Sequence, residues 1–156
     1  MANPPNPSAS HTAQQYLRTR VMTATPEQLQ LMLYDGAVRF TEAARSALDR
    51  RDLEGVHANV TKAQAIVTEL LTGLRPNHGA ELCGRVAGLY RHVYRKLIEV
   101  GFNHRAEAAD EALEALRHQR ETWSLLLEQM GREKAAGRAR GTTAHPNVSA
   151  RLSIAA

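Results

Sequence analysis

Leu53, Val56, Val60, Ala63, Val67, Leu70 and Leu74 follow one another at steps that alternate between three and four residues. Side chains so spaced fall on one stripe of a helix and on no face of a strand. A stripe this narrow and regular is the seam of a bundle of near-antiparallel helices. A helix that buries one such stripe needs partners of similar length, and the flanking sequence supplies them. Thr25-Pro26-Glu27-Gln28 reads as a capping box with a proline start: a hydroxyl at the N-cap, proline at N1 and glutamine at N3. Leu29, Met32/Leu33, Gly36/Ala37, Phe40, Ala43/Ala44 and Ala47/Leu48 then recur with a helical period. A third stripe runs through Leu82, Val86, Leu89/Tyr90, Val93, Leu97 and Val100. A fourth runs through Ala109, Ala112/Leu113, Leu116, Gln119, Trp123, Leu126/Leu127 and Met130.

The breaks between these stripes are short. Asp49-Arg50-Arg51-Asp52 is a polar turn with Asp52 placed to cap the next helix; Arg75-Pro76-Asn77-His78-Gly79 and Gly101-Phe102-Asn103-His104 are the other two, and Gly131 reads as the last stop. Loops this short force antiparallel neighbours. The expected fold is all-α, an antiparallel up-down four-helix bundle over residues 14–130. A short N-terminal segment packs on it, residues 1–13 form a disordered Pro-rich N-terminus, and residues 131–156 form a flexible basic tail. Gly84 and Gly88, four apart on the third helix, would let a neighbouring backbone approach closely, and Gly36 permits close helix packing. Trp123 is read as core.

Composition narrows the function. Aromatic residues make up only 4% of the 156 residues, which favours helix over strand. The single cysteine, Cys83, excludes a disulfide framework and a multi-thiolate metal site, and as a free thiol reads as a small apolar group. No run of 18 apolar residues is present, and Met1–Ser10 offers no apolar core for a secretory signal, so a cytoplasmic protein without membrane insertion is expected. The net charge of +4 comes from the ends: residues 131–156 carry +4, residues 1–22 carry +2, and residues 23–130 carry −2. A duplex nucleic-acid binder would carry its basic face on the folded part, so no nucleic acid is expected as partner.

Catalytic constellations are not found. A di-iron bundle needs paired Glu-x-x-His motifs, and only Glu54-Gly55-Val56-His57 fits, with His57 beside the seam rather than on it. No phosphate-binding glycine loop and no nucleophile elbow occurs. Asp110, Glu111 and Glu114 read as a solvated face. No catalytic residue, cofactor or metal is expected. Leu31, Tyr34 and Val38 give the first long helix more apolar surface than one seam requires. Tyr16, Leu17 and Val21 want a surface to cover, and two roles are open: a detachable cover over an apolar groove that receives a peptide, or a permanent lid on the core.

Tyr16-x4-Val21-Met22-Thr23-Ala24-Thr25-Pro26-x2-Leu29-x2-Met32-Leu33-Tyr34-Asp35-Gly36-Ala37 resembles the opening of the flagellin secretion chaperone family, FliS. Lys62-Ala63-Gln64-Ala65-Ile66-Val67-x-Glu69-Leu70 looks like its second helix, Gly79-Ala80-Glu81-Leu82 with Leu89-Tyr90 its third, and Arg120-x2-Trp123 the end of its fourth. The resemblance implies a bundle that binds the disordered C-terminal segment of newly made flagellin, prevents its premature polymerisation and assists type III flagellar secretion. It implies Tyr16, Val21, Leu29, Leu33, Tyr34 and Phe40 as partner-binding residues, with Tyr16 and Val21 as the movable cover. Thr23, Thr25 and Pro26 are assigned to capping. Components of the flagellar export apparatus are further candidate partners, and the free protein is expected to be a monomer or homodimer. The basic tail could be inert, touch the export machinery or fold over the client groove. A helical-bundle adaptor or regulatory module with another partner is the alternative; a metal-dependent bundle enzyme fits less well.

Overall fold

The computed structural model describes residues 7–76 and 79–142. Five helices succeed one another: α1 Pro7–Thr23, α2 Pro26–Asp49, α3 Leu53–Thr72, α4 Ala80–Asn103 and α5 Ala106–Thr142. Among the described residues there is no strand. The chain divides into two units, Met1–Arg120 and Glu121–Ala156, and α5 runs through the boundary.

The predicted starts of α2 and α3 are the observed ones. Thr25 sits in extended backbone, its hydroxyl accepts from the Gln28 N–H at 3.2 Å, and its own N–H donates to the Gln28 amide oxygen at 3.0 Å. This satisfies two amides that a helix start leaves without partners. Asp52 caps α3 by accepting from the Gly55 N–H at 2.9 Å. A Cβ on Gly55 would meet the Asp52 carboxylate and shift it from its present position.

In the first unit α2 to α5 form the bundle. α3 packs between α2 and α4. Ion pairs tie α5 to both other neighbours: Asp35–Arg120, Glu42–Arg117 and Arg45–Asp110 join it to α2, and Lys96–Glu111 joins it to α4. The pairs ascend α2 as they descend α5, so the two helices run antiparallel and the ring of four closes. The core is Tyr34, Ala37, Ala44 and Ala47 from α2; Val56, Val60, Ala63, Val67 and Leu70 from α3; Tyr90, Val93, Leu97 and Val100 from α4; and Ala108, Ala109, Ala112, Leu113 and Leu116 from α5. Buried Thr41 is satisfied by donating to the Ala37 carbonyl at 2.7 Å. The alanines of α2 and α5 face the valines and leucines of α3 and α4, an alternation of small and large that fills the interior.

Four expectations are corrected. Helix begins at Pro7, not after residue 13: proline is well placed at the first position of a helix, and Ala9, Ala13, Gln14 and Gln15 are good helix formers that carry it onward. All described side chains of α1 are exposed, Tyr16 at 69% and Val21 at 42%, so none of them is buried against the bundle as the expected packed segment would require. Helix also continues past Gly131 to Thr142. Strong helix formers after Gly131 and the i,i+4 contacts Glu128–Arg132 and Gln129–Glu133 carry it through a residue that costs only about 1 kcal/mol. Finally, Gly101 lies inside α4, which ends instead at His104, in the left-handed region at φ 53°. Expectations for residues 1–6, 77–78 and 143–156 fall outside the described residues.

In the second unit, residues 121–142 form one helix with Trp123, Leu127 and Met130 half-buried, Leu125 and Leu126 exposed, and every residue from Gly131 to Thr142 exposed.

Candidate functional site: an apolar groove along α3 and α4

The seam between α3 and α4 closes over only part of its length. Toward the α4 C-terminus it is tight, where a Cβ on Gly101 would touch Val60 at 3.5 Å. Toward the α4 N-terminus it opens. Val67, Thr68 and Leu71 of α3 and Gly88, Arg91, Tyr94 and Arg95 of α4 line an open cavity of about 490 Å³. The buried stripe of α4 starts only at Tyr90: Leu82, expected on the seam, is 59% exposed, and Val86 and Leu89 are half-buried. Gly84 and Gly88 therefore do not bring a backbone close. A Cβ on either would meet nothing within 4 Å, and the missing side chain of Gly88 is part of the empty space.

The groove continues as an exposed apolar row. Tyr94, Ile98 and Phe102 stand four residues apart on the outer side of α4, with Phe102 83% exposed. Four-residue spacing puts them on one face. Large apolar residues that share a face and stay in water are the mark of an interaction surface.

Residues expected to bind a partner are distributed as follows. Tyr16 and Val21 are exposed on α1; Leu29, Leu33 and Phe40 are half-buried on α2. The Phe40 ring has two cations over it, the Arg39 guanidinium at 5.2 Å and the Lys62 ammonium at 5.4 Å from its centroid. Tyr34 is taken out of the set: it is 3% exposed and its hydroxyl is bonded to that of Tyr90, a core position that no partner reaches without opening the bundle. Burial, and then the bond to Tyr34, push the Tyr90 phenol far above its ordinary range, so it stays protonated. Tyr94, Ile98, Phe102, Leu71 and Gly88 were not anticipated. The signal for Tyr94, Ile98 and Phe102 was a second apolar row in α4, displaced by one residue from Val93, Leu97 and Gly101; none marked Leu71 or Gly88.

A second open cavity, about 450 Å³, lies between α4 and α5 and is lined by Leu89, His92, Glu111, Glu114, Ala115 and His118. Its acid Glu111 is held by Lys96 at 2.7 Å, and that hydrogen bond keeps the carboxyl below its usual range. Among the described residues no three or more His, Cys, Asp or Glu side chains are grouped to hold a metal ion. Glu54 and His57 are both exposed on α3. The Cys83 thiol donates to the Arg75 carbonyl at 2.8 Å, which ties down the start of α4.

Among the described residues no helix is long and apolar enough to cross a membrane. What the geometry offers is surface: an apolar trough, an exposed apolar row and an exposed N-terminal helix.

Comparison with known proteins accords with this. Residues 9–130 match the family model described as flagellar protein FliS. The flagellar secretion chaperone FliS of Bacillus subtilis is 38% identical over 84 residues, 54% of this chain and 62% of that relative's length, so the match leaves over a third of the relative unaligned. The FliS of Salmonella typhimurium is 31% identical over 112 residues, 71% of this chain and 83% of the relative. The relatives are named as chaperones, not as enzymes. A crystal structure of a bacterial flagellar chaperone superimposes with a TM-score of 0.63 at 18% identity, over 78% of this chain and 98% of the other, and shares the helical fold. From the span of that family match, this chain belongs to the FliS family of flagellar secretion chaperones.

Proposed function

We propose that the protein is a cytoplasmic export chaperone that captures the disordered C-terminal segment of flagellin, keeps it from polymerising early and hands it to the flagellar type III export machinery. The observation that carries this reading is the open groove along α3 and α4, continued by Tyr94, Ile98 and Phe102. A chaperone that masks a helix-forming, aggregation-prone segment needs a long apolar track and no chemistry. A segment that folds as it binds spends several kcal/mol on ordering, so the track must be long to compensate. Half-buried Leu29, Leu33 and Phe40 extend the available apolar surface onto α2. Tyr16 and Val21, exposed on α1, contribute as a mobile arm that closes over the client; that role differs from a lid on the empty bundle.

Calorimetric titration of the full chain with the C-terminal segment of flagellin from the same organism tests the proposal. Saturable one-to-one binding at about micromolar affinity or better, with a negative heat-capacity change, is expected. No binding would reduce the protein to a helical interaction module with another partner. In the same assay Tyr16→Ala is expected to weaken client binding while leaving the unfolding transition unchanged, because a side chain 69% exposed contributes little to stability.

A further inference from the structure

The charges on the groove are one-sided. Among the described residues that line the cavity, Arg91 and Arg95 are the charged ones; the rest are apolar, small or neutral. Both arginines are exposed. Two other cations of α4 are engaged by acids, Arg85 by Glu81 at 2.8 Å and Lys96 by Glu111 at 2.7 Å. Arg91 and Arg95 have no ion-pair partner among the described residues. They stand four residues apart, hence on the same face of α4, where like charges repel slightly. Tyr94, 37% exposed, lies between them in sequence and forms part of the same apolar wall.

We propose that Arg91 and Arg95 select the client: the groove takes an amphipathic helical segment that carries two carboxylates four residues apart beside its apolar stripe. This rests on the client-binding reading above and adds the chemical class of the segment. Apolar contact gives affinity without discriminating among apolar helices, whereas charge placed at the rim sets which helix is accepted and in what register. An incoming helix repeats its side chains at the same i,i+4 spacing as α4, so two acids on one of its faces meet both guanidiniums at once. The planar guanidinium suits a carboxylate better than an ammonium would. Binding would also relieve the repulsion between the two cations. The aliphatic stems of both arginines would stay against the apolar wall while their heads reach the partner.

The test uses two synthetic helix-forming peptides of equal length, with leucine at every third and fourth position. One has glutamate, the other lysine, at two positions four apart beside that stripe. Each is titrated into the full chain by calorimetry at low and at high salt. The glutamate peptide is expected to bind about tenfold more tightly, as two partly exposed ion pairs would give, and the preference should shrink as salt screens it. Arg91→Gln with Arg95→Gln should abolish the preference, and Arg91→Glu with Arg95→Glu should reverse it, with circular dichroism showing the same helix content in each. Equal affinity for the two peptides, or a preference that survives the glutamine variant, overturns the selection by charge and leaves apolar capture standing. If neither peptide binds, the groove reading falls and this inference falls with it.

Discussion

Tyr34 and Tyr90 come from α2 and α4, which are separated around the bundle by α3 and α5, and their hydroxyls bond across the interior. Two polar groups are thus buried where apolar residues would otherwise meet, and the Tyr34 hydroxyl also accepts from the Gln30 amide at 3.4 Å. Removing one leaves its partner without a full bond in a dry site, which costs about 1–3 kcal/mol. Tyr34→Phe and Tyr90→Phe are each expected to lower unfolding free energy by about that much, and the double variant by less than the two together, measured in urea. The pH dependence has a definite sign. The Tyr90 phenol is raised above its unfolded value, mainly by burial, so its contribution is whole below the ordinary tyrosine range and is lost as the pH rises above it. Stability should therefore fall on the alkaline side of pH 10, and less steeply in Tyr90→Phe. Local periodicity placed Tyr34 off the main stripe of its helix, and the family resemblance made it a partner-binding candidate. A bond between residues 56 apart in sequence leaves no trace in that periodicity.

At the scale of elements, the legible parts were those fixed by local chemistry. The capping box at Thr25, the Asp52 cap and the seam of α3 from Val56 to Leu70 can be read directly, because each depends on residues within a few positions; Leu53, also expected on that seam, is 54% exposed. The extents of α1 and α5 could not. Pro7 is a breaker inside a helix and a good first residue of one, and Gly131 stops a helix only where its neighbours do not favour continuation. The ladder between α2 and α5 belongs to neither helix alone. Its members are substantially exposed, with Glu42 and Arg117 side chains at 49% and 55%, so each pair is worth at most about 1 kcal/mol. Their larger role is to fix which way the alanine faces of α2 and α5 align. Glu42→Arg should destabilise by about 0.5–1 kcal/mol through repulsion from Arg117, and adding Arg117→Glu should recover most of it. A double-mutant cycle by urea unfolding measures this. Failure to recover would assign the loss to helix packing instead of charge.

For the whole molecule, the proposed groove would set stability and binding in opposition at one residue, Gly88. A bundle optimised only for stability would carry its α4 seam closed up to the first turn. Here the buried stripe stops at Tyr90, and Gly88 leaves a trough where a larger side chain would fit without obstruction. Glycine inside a helix costs about 1 kcal/mol relative to alanine or leucine. Since no atom lies within 4 Å of a Cβ at this position, nothing in the packing of the bundle requires glycine there. The sequence showed the two glycines and their spacing, yet close packing and an empty groove write the same pattern; only the placement of α3 separates them. Gly88→Leu is therefore expected to raise unfolding free energy by about 1 kcal/mol and to fill the trough, lowering affinity for the flagellin segment by about tenfold or more. Gly88→Ala should give a similar gain in stability with a smaller loss of binding, because one methyl group occupies little of about 490 Å³. A Gly88→Leu protein that is more stable and binds the segment as well as the original would move the client off this groove and onto the half-buried apolar face of α2.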